Sequence, residues 1–387
     1  MMERFFAPCP RGLEVLLADE ATALGALHVK PVAGGVAFSG EMALAYRMNL
    51  ESRLATRILW RQIEAPYRTE DDLYRLARGI AWEQRFALER TFKVDVVAIK
   101  SPLKSLNFAA LRIKDALCDR FREKTGERPS VQTRDPDVRV QLFLSADLAT
   151  LYLDTSGAPL WQRGMRHANV LAPLKENLAA GILKLTGWQP GMPLLDPMCG
   201  GGTFLLEAAA IALNRAPGLE RPAFGFEKLL NFDASLWQTL RNAAFAKLRD
   251  PEFLNLWGSD LDPVAVRATR RNLEQSGLAK TARIAEQDAR QIAAPTATPG
   301  IWLANPPYGE RLGEADELPA LYEALGSTLK HQFAGWTAYF ITADTRLPRA
   351  MRLKPKHKTP LWNGALDCRL YEFDLVSGSH RRSATVK

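Results

Sequence analysis

The sequence predicts an α/β protein whose C-terminal half is a doubly wound, mostly parallel sheet. From residue 171 onward, short apolar strands alternate with segments of helical periodicity. In addition, a glycine-rich stretch at 196–203 and polar motifs at 258–263, 286–289 and 305–308 each follow a predicted strand. Ligands of such Rossmann-like sheets bind beyond the carboxyl ends of the strands, so these motifs define the predicted site.

The elements of this half follow from short apolar runs and from 3.6-residue periodicity. The predicted strands cover 194–196, 255–259, 282–285, 301–304 and 338–342. The predicted helices cover 175–185, 203–213, 263–275 and 318–332. A hairpin over 360–375 ends the sheet, because Asn363-Gly364 is a turn signal between two strand-like runs.

Two smaller α/β segments are predicted ahead of this sheet. The first contains helices over 13–24 and 41–57, and between them a turn and a short strand over 34–40. The second contains a helix capped by Asp71 and running to Arg78, a strand over 92–99, a helix over 107–124 ended by Gly126, and strands over 138–143 and 150–153. The predicted domains are therefore 1–60, 61–157, a linker over 158–170, and 171–387.

Composition and charge narrow the function classes. The 387 residues carry 51 Lys and Arg against 43 Asp and Glu, a net charge of +8, which fits a polyanionic partner as well as a merely solvated basic surface. Cys9, Cys118, Cys199 and Cys368 are far apart, which predicts reduced thiols in the cytoplasm. The five histidines form no HxxxH spacing, so no bound metal is predicted. With no leader-like start and no apolar run of about 18 residues, no membrane span is expected.

The glycine-rich stretch is the first candidate site, and it reads Asp196-Pro197-Met198-Cys199-Gly200-Gly201-Gly202-Thr203. Glycines permit a sharp turn and a close approach of ligand to backbone. The following helix N-terminus offers unpaired N–H groups to a carboxylate. These features favour binding of the methionine part of S-adenosylmethionine, with Asp196 near the amino group, over a plain structural turn. A phosphate-binding P-loop is disfavoured because no Gly-Lys-[Ser/Thr] follows.

Two further strand ends carry carboxylates. Asp260 is predicted to hold both ribose hydroxyls, as the acidic residue of a dinucleotide site does. Asp262 precedes Pro263 and is predicted to cap the next helix, with the exchange of these two roles as the alternative. Asp288 is predicted to accept the adenine amino hydrogen of the cofactor, the alternative being a surface turn acid.

Asn305-Pro306-Pro307-Tyr308 is the candidate catalytic loop. An aromatic amine is a poor nucleophile because its lone pair is delocalised into the ring. The Asn305 side-chain oxygen and the Pro306 carbonyl can accept its two N–H bonds, while Pro306 and Pro307 stiffen the loop and Tyr308 offers a stacking face. Together with the glycine-rich stretch, this loop predicts methylation of a base amino group by positioning and hydrogen bonding.

Three neighbouring segments have two interpretations each. The segment 172–176, with Pro173, either lines the methionine end of the pocket or only starts a helix. The insertion between Arg215 and Asp250 either covers the pocket or packs elsewhere. The segment 345–358 carries six Arg and Lys without an acid, and it either contacts phosphates or is a solvated loop.

These motifs resemble the class I S-adenosylmethionine-dependent methyltransferases that act on amino nitrogens. The stretches 11–14, 52–57, 172–176, 305–312 and 363–368 further resemble bacterial 23S rRNA guanine-N2 methyltransferases of the RlmL type. The similarity covers nearly the whole chain. Gly201 stands where relatives often have Ser, which leaves the loop interpretation intact.

The resemblance implies an N-terminal ferredoxin-like segment, an RNA-binding THUMP domain and a methyltransferase domain. It implies 23S rRNA or its assembly particle as partner and N2 of a guanine as the methylated atom. It also implies site residues. The cofactor contacts are Asp196, Cys199, Gly200, Gly202, Asp260 and Asp288, and the catalytic loop contributes Asn305, Pro306 and Tyr308. Some relatives continue into a second methyltransferase domain, so a 7-methylguanine activity is not expected of this chain.

Three rival interpretations stay open. A tRNA guanine-N2 methyltransferase has the same domain plan. A DNA adenine-N6 methylase shares the Asn-Pro-Pro-Tyr motif, although the sequence offers no candidate target-recognition domain. A non-catalytic RNA-binding assembly factor would keep the fold without turnover. The target guanine, the choice between free rRNA and a particle, and the oligomeric state are likewise open.

Overall fold

The computed structural model describes residues 2–165, 174–307 and 318–376. Its strands are β1 (Glu3–Pro8), β2 (Leu27–Val32), β3 (Gly35–Gly40), β4 (Leu59–Pro66), β5 (Phe92–Ala98), β6 (Val138–Leu144), β7 (Leu148–Asp154), β8 (Leu194–Asp196), β9 (Leu256–Asp260), β10 (Ala282–Glu286), β11 (Ile301–Ala304), β12 (Thr337–Thr342), β13 (His357–Asn363) and β14 (Leu366–Asp374). Its helices are α1 (Glu14–Ala23), α2 (Met42–Glu51), α3 (Glu70–Arg78), α4 (Leu106–Thr125), α5 (Glu176–Leu185), α6 (Thr203–Ala212), α7 (Ala234–Phe245), α8 (Pro263–Gln275), α9 (Leu318–Gln332) and α10 (Leu347–Ala350).

The chain forms two compact units. Unit 1 consists of Met1–Arg163 and Ala216–Lys247, and unit 2 consists of Gly164–Arg215 and Leu248–Lys387. The segment 216–247 therefore belongs to the N-terminal unit, although the sequence predicted 171–387 as one contiguous domain. The sequence predicted an insertion between Arg215 and Asp250 that either covers the pocket or packs elsewhere, and its residues 216–247 pack within unit 1.

Unit 1 is built on one seven-stranded sheet with the order β2-β3-β1-β4-β7-β6-β5. The two predicted N-terminal segments share this sheet, because β4 pairs with β1 on one side and with β7 on the other. Strand β4 spans residue 60, where the sequence predicted a domain boundary. All neighbouring strands run antiparallel except β5 and β6, which are parallel.

Two predictions for unit 1 were wrong in detail. The second helix ends at Glu51 instead of Arg57, because the Glu20 carboxylate accepts hydrogen bonds from the Ser52 hydroxyl and from the amide of Arg53. The cap of α3 is Thr69 rather than Asp71. The Thr69 hydroxyl accepts from the Asp72 amide, and the Asp72 carboxylate accepts from the Thr69 amide. The predicted end of α4 at Gly126 is confirmed, with Gly126 at φ +83°.

The segment 216–247 is anchored in unit 1 by a buried arginine. Arg221 is 6% exposed and donates from its two terminal nitrogens to four backbone carbonyls, those of Ser156, Ala158, Pro159 and Gln162. Desolvation lowers the pKa of Arg221 to about 10, so the guanidinium stays charged at neutral pH. Arg221 thereby fixes the stretch that leaves β7.

An aromatic cluster continues this attachment. Tyr46 of α2 contacts the rings of Phe226, Phe232 and Trp237, with ring centroids 4.4 to 6.4 Å apart. Its hydroxyl accepts from the Asp233 amide at 3.0 Å. The segment 216–247 therefore packs as part of the core of unit 1.

Unit 2 contains the predicted doubly wound sheet, with the order β10-β9-β8-β11-β12-β14-β13. The strands from β10 to β12 are parallel, and β14 and β13 extend the sheet antiparallel. The predicted strands and helices of this half are confirmed to within two residues at each end, apart from β13, which starts at His357 rather than Pro360. The hairpin turn is centred on Gly364 and Ala365, since Asn363 still pairs with Leu366.

The described residues contain no helix with the length and apolar character that a bilayer crossing requires. They also hold no group of three or more His, Cys, Asp or Glu side chains placed to share a metal ion. All four cysteines are buried.

Candidate active site

The loop between β8 and α6 is a tight turn with two glycines in the left-handed region. Gly200 has φ +54° and Gly202 has φ +78°. The Gly202 amide donates to the Cys199 carbonyl at 2.7 Å, which closes the turn. A Cβ on Gly202 would lie 2.8 Å from the methyl carbon of Thr269, whereas a Cβ on Gly200 would meet nothing within 4 Å. The backbone at Gly200 therefore faces open space.

Side chains of α8 hold the carbonyls of this turn. The Thr269 hydroxyl donates to the Gly200 carbonyl at 2.7 Å, and the Asn272 amide donates to the Gly201 carbonyl at 3.0 Å. With the carbonyls held on the α8 side, the turn is fixed without using the first amides of α6. The N-cap of α6 is Gly202, so no side chain caps the helix start, and the buried Thr203 is its first residue.

The predicted cofactor residues of this turn differ in burial. Pro197 and Cys199 are buried, while Met198 is half-buried and packs against the core of unit 2. Burial raises the pKa of the Cys199 thiol, so Cys199 is a neutral packing group and not a nucleophile.

Asp260 ties the end of β9 to this turn. Its Oδ2 accepts from the Gly200 amide at 2.9 Å, and its Oδ1 accepts from the Asp262 amide at 3.0 Å. The Asp262 carboxylate instead accepts from the Val264 amide at 2.8 Å and caps α8, which confirms the predicted cap. Asp260 is therefore the carboxylate that faces the glycine turn.

Sequence reasoning missed two apolar side chains beside Asp260. Leu261 is 62% exposed and Val264 is 58% exposed, although both are aliphatic. Exposed aliphatic groups at the carboxyl edge of a parallel sheet can pack against a flat ring of a ligand. Their signal in the sequence was only two apolar residues around a helix start, which is common at helix starts.

Asp196 ends β8 as a buried carboxyl group. It is 2% exposed, and its Oδ1 accepts from the Met198 amide at 3.3 Å. Desolvation raises the pKa of Asp196 well above its ordinary value, and the nearby Asp260 charge raises it further. A cationic ligand group would remove this penalty, which fits a partner such as the amino group of a methionine.

Asp288 follows β10 and is held by an arginine. Its two oxygens accept from Arg290 Nε at 2.9 Å each, and Arg290 also donates its backbone amide. These hydrogen bonds lower the pKa of Asp288, so the carboxylate is charged and oriented at neutral pH. The structure thus gives an acceptor at the predicted position, although its partner is an intramolecular cation.

Asn305 follows β11, which lies between β8 and β12 in the sheet. Its side-chain oxygen is buried, and no hydrogen-bond donor among the described residues reaches it. Pro306 is buried and Pro307 is half-buried. Because a buried carbonyl without a donor is costly, Asn305 offers an acceptor that no described residue satisfies.

Tyr322 and Asp344, which the sequence did not single out, lie near the far end of this loop together with Arg346 of the segment 345–358. The hydroxyl of Tyr322 in α9 donates to the Pro307 carbonyl at 3.4 Å. Burial raises the pKa of Tyr322 to about 12, and the charge of Asp344 adds to this rise. Asp344 lies two residues beyond β12 and accepts from Arg346 Nε at 2.9 Å and from Arg346 Nη2 at 2.8 Å. Tyr322 looked like an ordinary core position in the helical pattern.

The basic segment 345–358 is more neutralised than the sequence suggests. Three of its six cations form ion pairs with acids from other parts of the fold or next to the segment. These pairs join Arg346 with Asp344, Arg352 with Glu323, and Lys356 with Glu372 and Asp374. Lys358 instead lies 5.9 Å from the centre of the Tyr371 ring.

Two predicted site residues lie outside the described residues. They are Pro173 and Tyr308, in the stretches 166–173 and 308–317.

The structure brings the other predicted site residues to the carboxyl edge of one sheet. They are Asp196, the residues of the glycine turn, Asp260, Asp288 and Asn305.

A known protein family matches the part of the chain that forms this sheet. A family model described as an RMKL-like methyltransferase domain matches residues 163–372, which include every strand of this sheet except the last residues of β14. The chain belongs to the RMKL-like methyltransferase family. Models of the RlmL ferredoxin-like domain and of the THUMP domain match residues 4–59 and 67–154.

Individual relatives of this methyltransferase family extend along the whole chain. The ribosomal RNA large subunit methyltransferase K/L of Syntrophotalea carbinolica is 43% identical over 383 residues, which are 96% of this chain and 54% of that protein. A candidate RNA methyltransferase of Synechocystis sp., slr0064, is 38% identical, with 96% of each chain covered. The chain spans about half the length of the K/L relatives that it matches.

Solved structures agree with this family assignment. SMU.472, described as a methyltransferase and complexed with SAH, superposes with a TM-score of 0.88 at 30% identity and covers 98% of this chain and 99% of its own. A predicted N6-adenine-specific DNA methylase from Listeria monocytogenes superposes with a TM-score of 0.87 at 29% identity, with 97% of each chain covered. This family member therefore uses S-adenosylmethionine as cofactor.

Proposed function

We propose that this chain transfers a methyl group from S-adenosylmethionine to the exocyclic N2 of a guanine in 23S rRNA. Asn305 carries the proposal. Its buried side-chain oxygen has no donor among the described residues, and it follows the strand next to the one that leads into the glycine turn. An amino group held by this oxygen would fill the missing hydrogen bond.

The choice of rRNA is supported by the K/L relatives, whose names state that they methylate large-subunit ribosomal RNA. It is also supported by the THUMP match in the N-terminal half, since an RNA-binding domain serves an RNA substrate. We assign RNA binding to the ferredoxin-like and THUMP segments, predicted as 1–60 and 61–157, and methyl transfer to the domain predicted from 171. The predicted cytoplasmic location follows from this substrate and stays a prediction.

In this proposal, the cofactor residues hold the methyl donor by its charged ends. Asp196 accepts from the amino group of the methionine part, and the open amides at the start of α6 receive its carboxylate. Asp260 holds the ribose hydroxyls, Leu261 and Val264 pack against the adenine, and Asp288 accepts the adenine amino hydrogen. Pro173, Pro197, Met198, Cys199, Gly200, Gly202 and Thr203 complete the proposed cofactor contacts. When bound, S-adenosylmethionine supplies a sulfonium methyl group that is open to nucleophilic attack.

The catalytic loop orients the guanine amine. Asn305 Oδ1 and the Pro306 carbonyl accept its two N–H bonds, which turns the nitrogen lone pair away from the ring plane and toward the methyl group. Pro307 stiffens the loop and Tyr308 stacks on the base. With S-adenosylmethionine held by the cofactor residues, the oriented nitrogen would receive its methyl group and would lose one proton to water. Extrusion of the base from its helix gives this loop access to it.

A labelling experiment across nucleic acids tests this proposal. Methyl-labelled S-adenosylmethionine is incubated with the protein and with 23S rRNA, tRNA or duplex DNA from cells that lack this gene. The proposal predicts label in 23S rRNA alone. Label in tRNA alone would replace the substrate, and label in duplex DNA would favour the activity for which the Listeria structural neighbour is named. No label in any of them would favour the non-catalytic interpretation.

A further inference from the structure

Asp344 holds the Arg346 guanidinium in a fixed orientation beside the catalytic loop. Strands β11 and β12 are parallel with Ala304 opposite Phe340, so the residues after each strand emerge at the same edge of the sheet. Asn305 to Pro307 follow one strand, and Asp344 follows the other. The Tyr322 hydroxyl bonds to the Pro307 carbonyl and is close enough to Asp344 for that charge to raise its pKa.

The contacts of Arg346 hold its side chain in one orientation. The Asp344 carboxylate accepts from Nε, from Nη2 and from the backbone amide of Arg346. The Asp344 side chain is 9% exposed and its pKa is lowered by these bonds, so it is a permanent anionic partner. The Asp344 amide is itself anchored on the Thr342 hydroxyl at 3.0 Å. Such a side-on grip removes much of the rotamer freedom of a long side chain.

The remaining donors of Arg346 face solvent. Its side chain is 59% exposed, and among the described residues Nη1 has no acceptor. A guanidinium meant to read a base edge in a closed pocket would be buried, whereas a phosphate contact is made at the solvated rim. The exposed end of a guanidinium presents two N–H groups with the spacing of two phosphate oxygens.

We propose that Arg346, oriented by Asp344, binds a backbone phosphate next to the methylated nucleotide and thereby positions the base in the Asn305–Pro307 loop. This inference rests on the proposed function, since it needs an RNA substrate. Arg346 is a positioning residue because it acts on the base through the backbone. The other arginine of the segment with an ion pair, Arg352, pairs with Glu323 of α9.

The test compares Arg346→Gln with Arg352→Gln, which removes the same charge from an exposed, ion-paired arginine of the same segment. We expect Arg346→Gln to lower kcat/KM for RNA about tenfold and to reduce the slope of log affinity against log salt by about 0.7 to 0.9, the loss of one phosphate contact. SAH affinity should stay at the wild-type value in both variants. Arg352→Gln should change kcat/KM less than about twofold.

Asp344→Ala is a second test, because electrostatics alone and the loss of the Arg346 orientation predict opposite changes in kcat/KM. It removes a negative charge beside the RNA, so electrostatics alone would raise kcat/KM. The proposal expects kcat/KM to fall, because the guanidinium loses its grip, with SAH binding retained. Equal effects of the two glutamine variants, or a gain of kcat/KM in Asp344→Ala, would overturn the proposal. If the wild-type protein methylates no RNA, the proposed function fails, and that outcome is separate from these.

Discussion

The amide of Gly200 donates to Asp260 Oδ2 at 2.9 Å, so one hydrogen bond joins the turn after β8 to the end of β9. The same carboxylate is the proposed ribose ligand. A single side chain therefore shapes the turn that receives the methionine part and binds the nucleoside part of the cofactor. Neighbouring Asp262 is occupied in capping α8, which leaves it a structural task.

Alanine substitutions of Asp260 and of Asp262 should have different effects on SAH affinity and on stability. Asp260→Ala should weaken SAH binding by about 100-fold, because it removes the ribose acceptor and releases the Gly200 amide. Asp262→Ala should cost about 1 kcal/mol of unfolding free energy through the lost cap. It should change SAH affinity little. Calorimetric titration with SAH and thermal unfolding of both variants check this, and equal losses of SAH affinity would show that the roles are shared or exchanged.

The two left-handed glycines should respond differently to alanine. Gly200→Ala meets only backbone strain, of about 1 kcal/mol, because no atom lies within 4 Å of the added methyl group. Gly202→Ala adds a contact at 2.8 Å with Thr269 and should cost more stability. Gly200→Ala should nevertheless weaken SAH binding, since its methyl group enters the space of the ligand. Denaturant unfolding and SAH titration measure both effects. A Gly200→Ala variant with wild-type affinity would place the ligand elsewhere.

Stability without cofactor should depend on pH through Asp196. The pKa of Asp196 is raised in the folded protein. Between the ordinary pKa near 4 and the raised pKa, the folded state therefore keeps a proton that the unfolded chain has released. As a result, the free energy of unfolding falls as the pH rises above about 4. Asp196→Asn should therefore raise the melting temperature at pH 8, with the gain shrinking toward pH 4.

Asp288→Asn is the matched control, with the opposite sign. The pKa of Asp288 is lowered in the folded protein, so its contribution exists above the ordinary pKa and disappears as pH falls through the lowered one. Asp288→Asn should lower the melting temperature at pH 8, with the loss shrinking in acid. Two variants with the same pH dependence would contradict the assigned shifts.

Asn305→Ala should separate turnover from stability. It removes a buried oxygen that has no donor among the described residues, so the melting temperature should stay unchanged or rise. Turnover should fall by about 100-fold to 1,000-fold, the effect of losing one transition-state hydrogen bond. Single-turnover kinetics with saturating RNA and cofactor measure it. Turnover within about threefold of the wild type would remove Asn305 from the mechanism.

Among the arginines of unit 1, Arg221 should contribute the most to the free energy of unfolding. Arg221→Ala leaves four backbone carbonyls without their donor and should cost about 3 to 5 kcal/mol. Arg241→Ala in α7 removes only ring contacts with Trp237 and Phe245 and should cost less than about 1 kcal/mol. Urea unfolding of the two variants gives the comparison, and similar costs would mean that Arg221 does not anchor the segment.

Much of unit 2 could be predicted from the sequence because its signals are local. The helices over 263–275 and 318–332 have clear periodicity, and their predicted ends match the structure. The strand ends carry residue types whose chemistry is recognisable in short motifs. This explains why Asp196, Asp260 and Asn305 could be predicted as site residues without knowledge of the fold, and these roles stay predictions.

The missed features depend on contacts between distant parts of the chain. Helix α2 stops early because Glu20, about 30 residues away, accepts from the backbone beyond it. The segment 216–247 joins unit 1 through Arg221 and the Tyr46 cluster, which no local pattern reveals. The role proposed for Asp344 depends on the pairing of β12 with β11, which a local sequence pattern does not reveal. Strands β1 and β2 contain prolines and were not predicted, since proline weakens a strand pattern.

The most direct test of the central claim is the identity of the methylated nucleoside. 23S rRNA from cells that lack this gene is methylated in vitro by the wild-type protein, digested to nucleosides and analysed by mass spectrometry against standards. We expect N2-methylguanosine from the wild-type protein and none from the Asn305→Ala variant. N6-methyladenosine, 7-methylguanosine or no methylated product from the wild-type protein would contradict it.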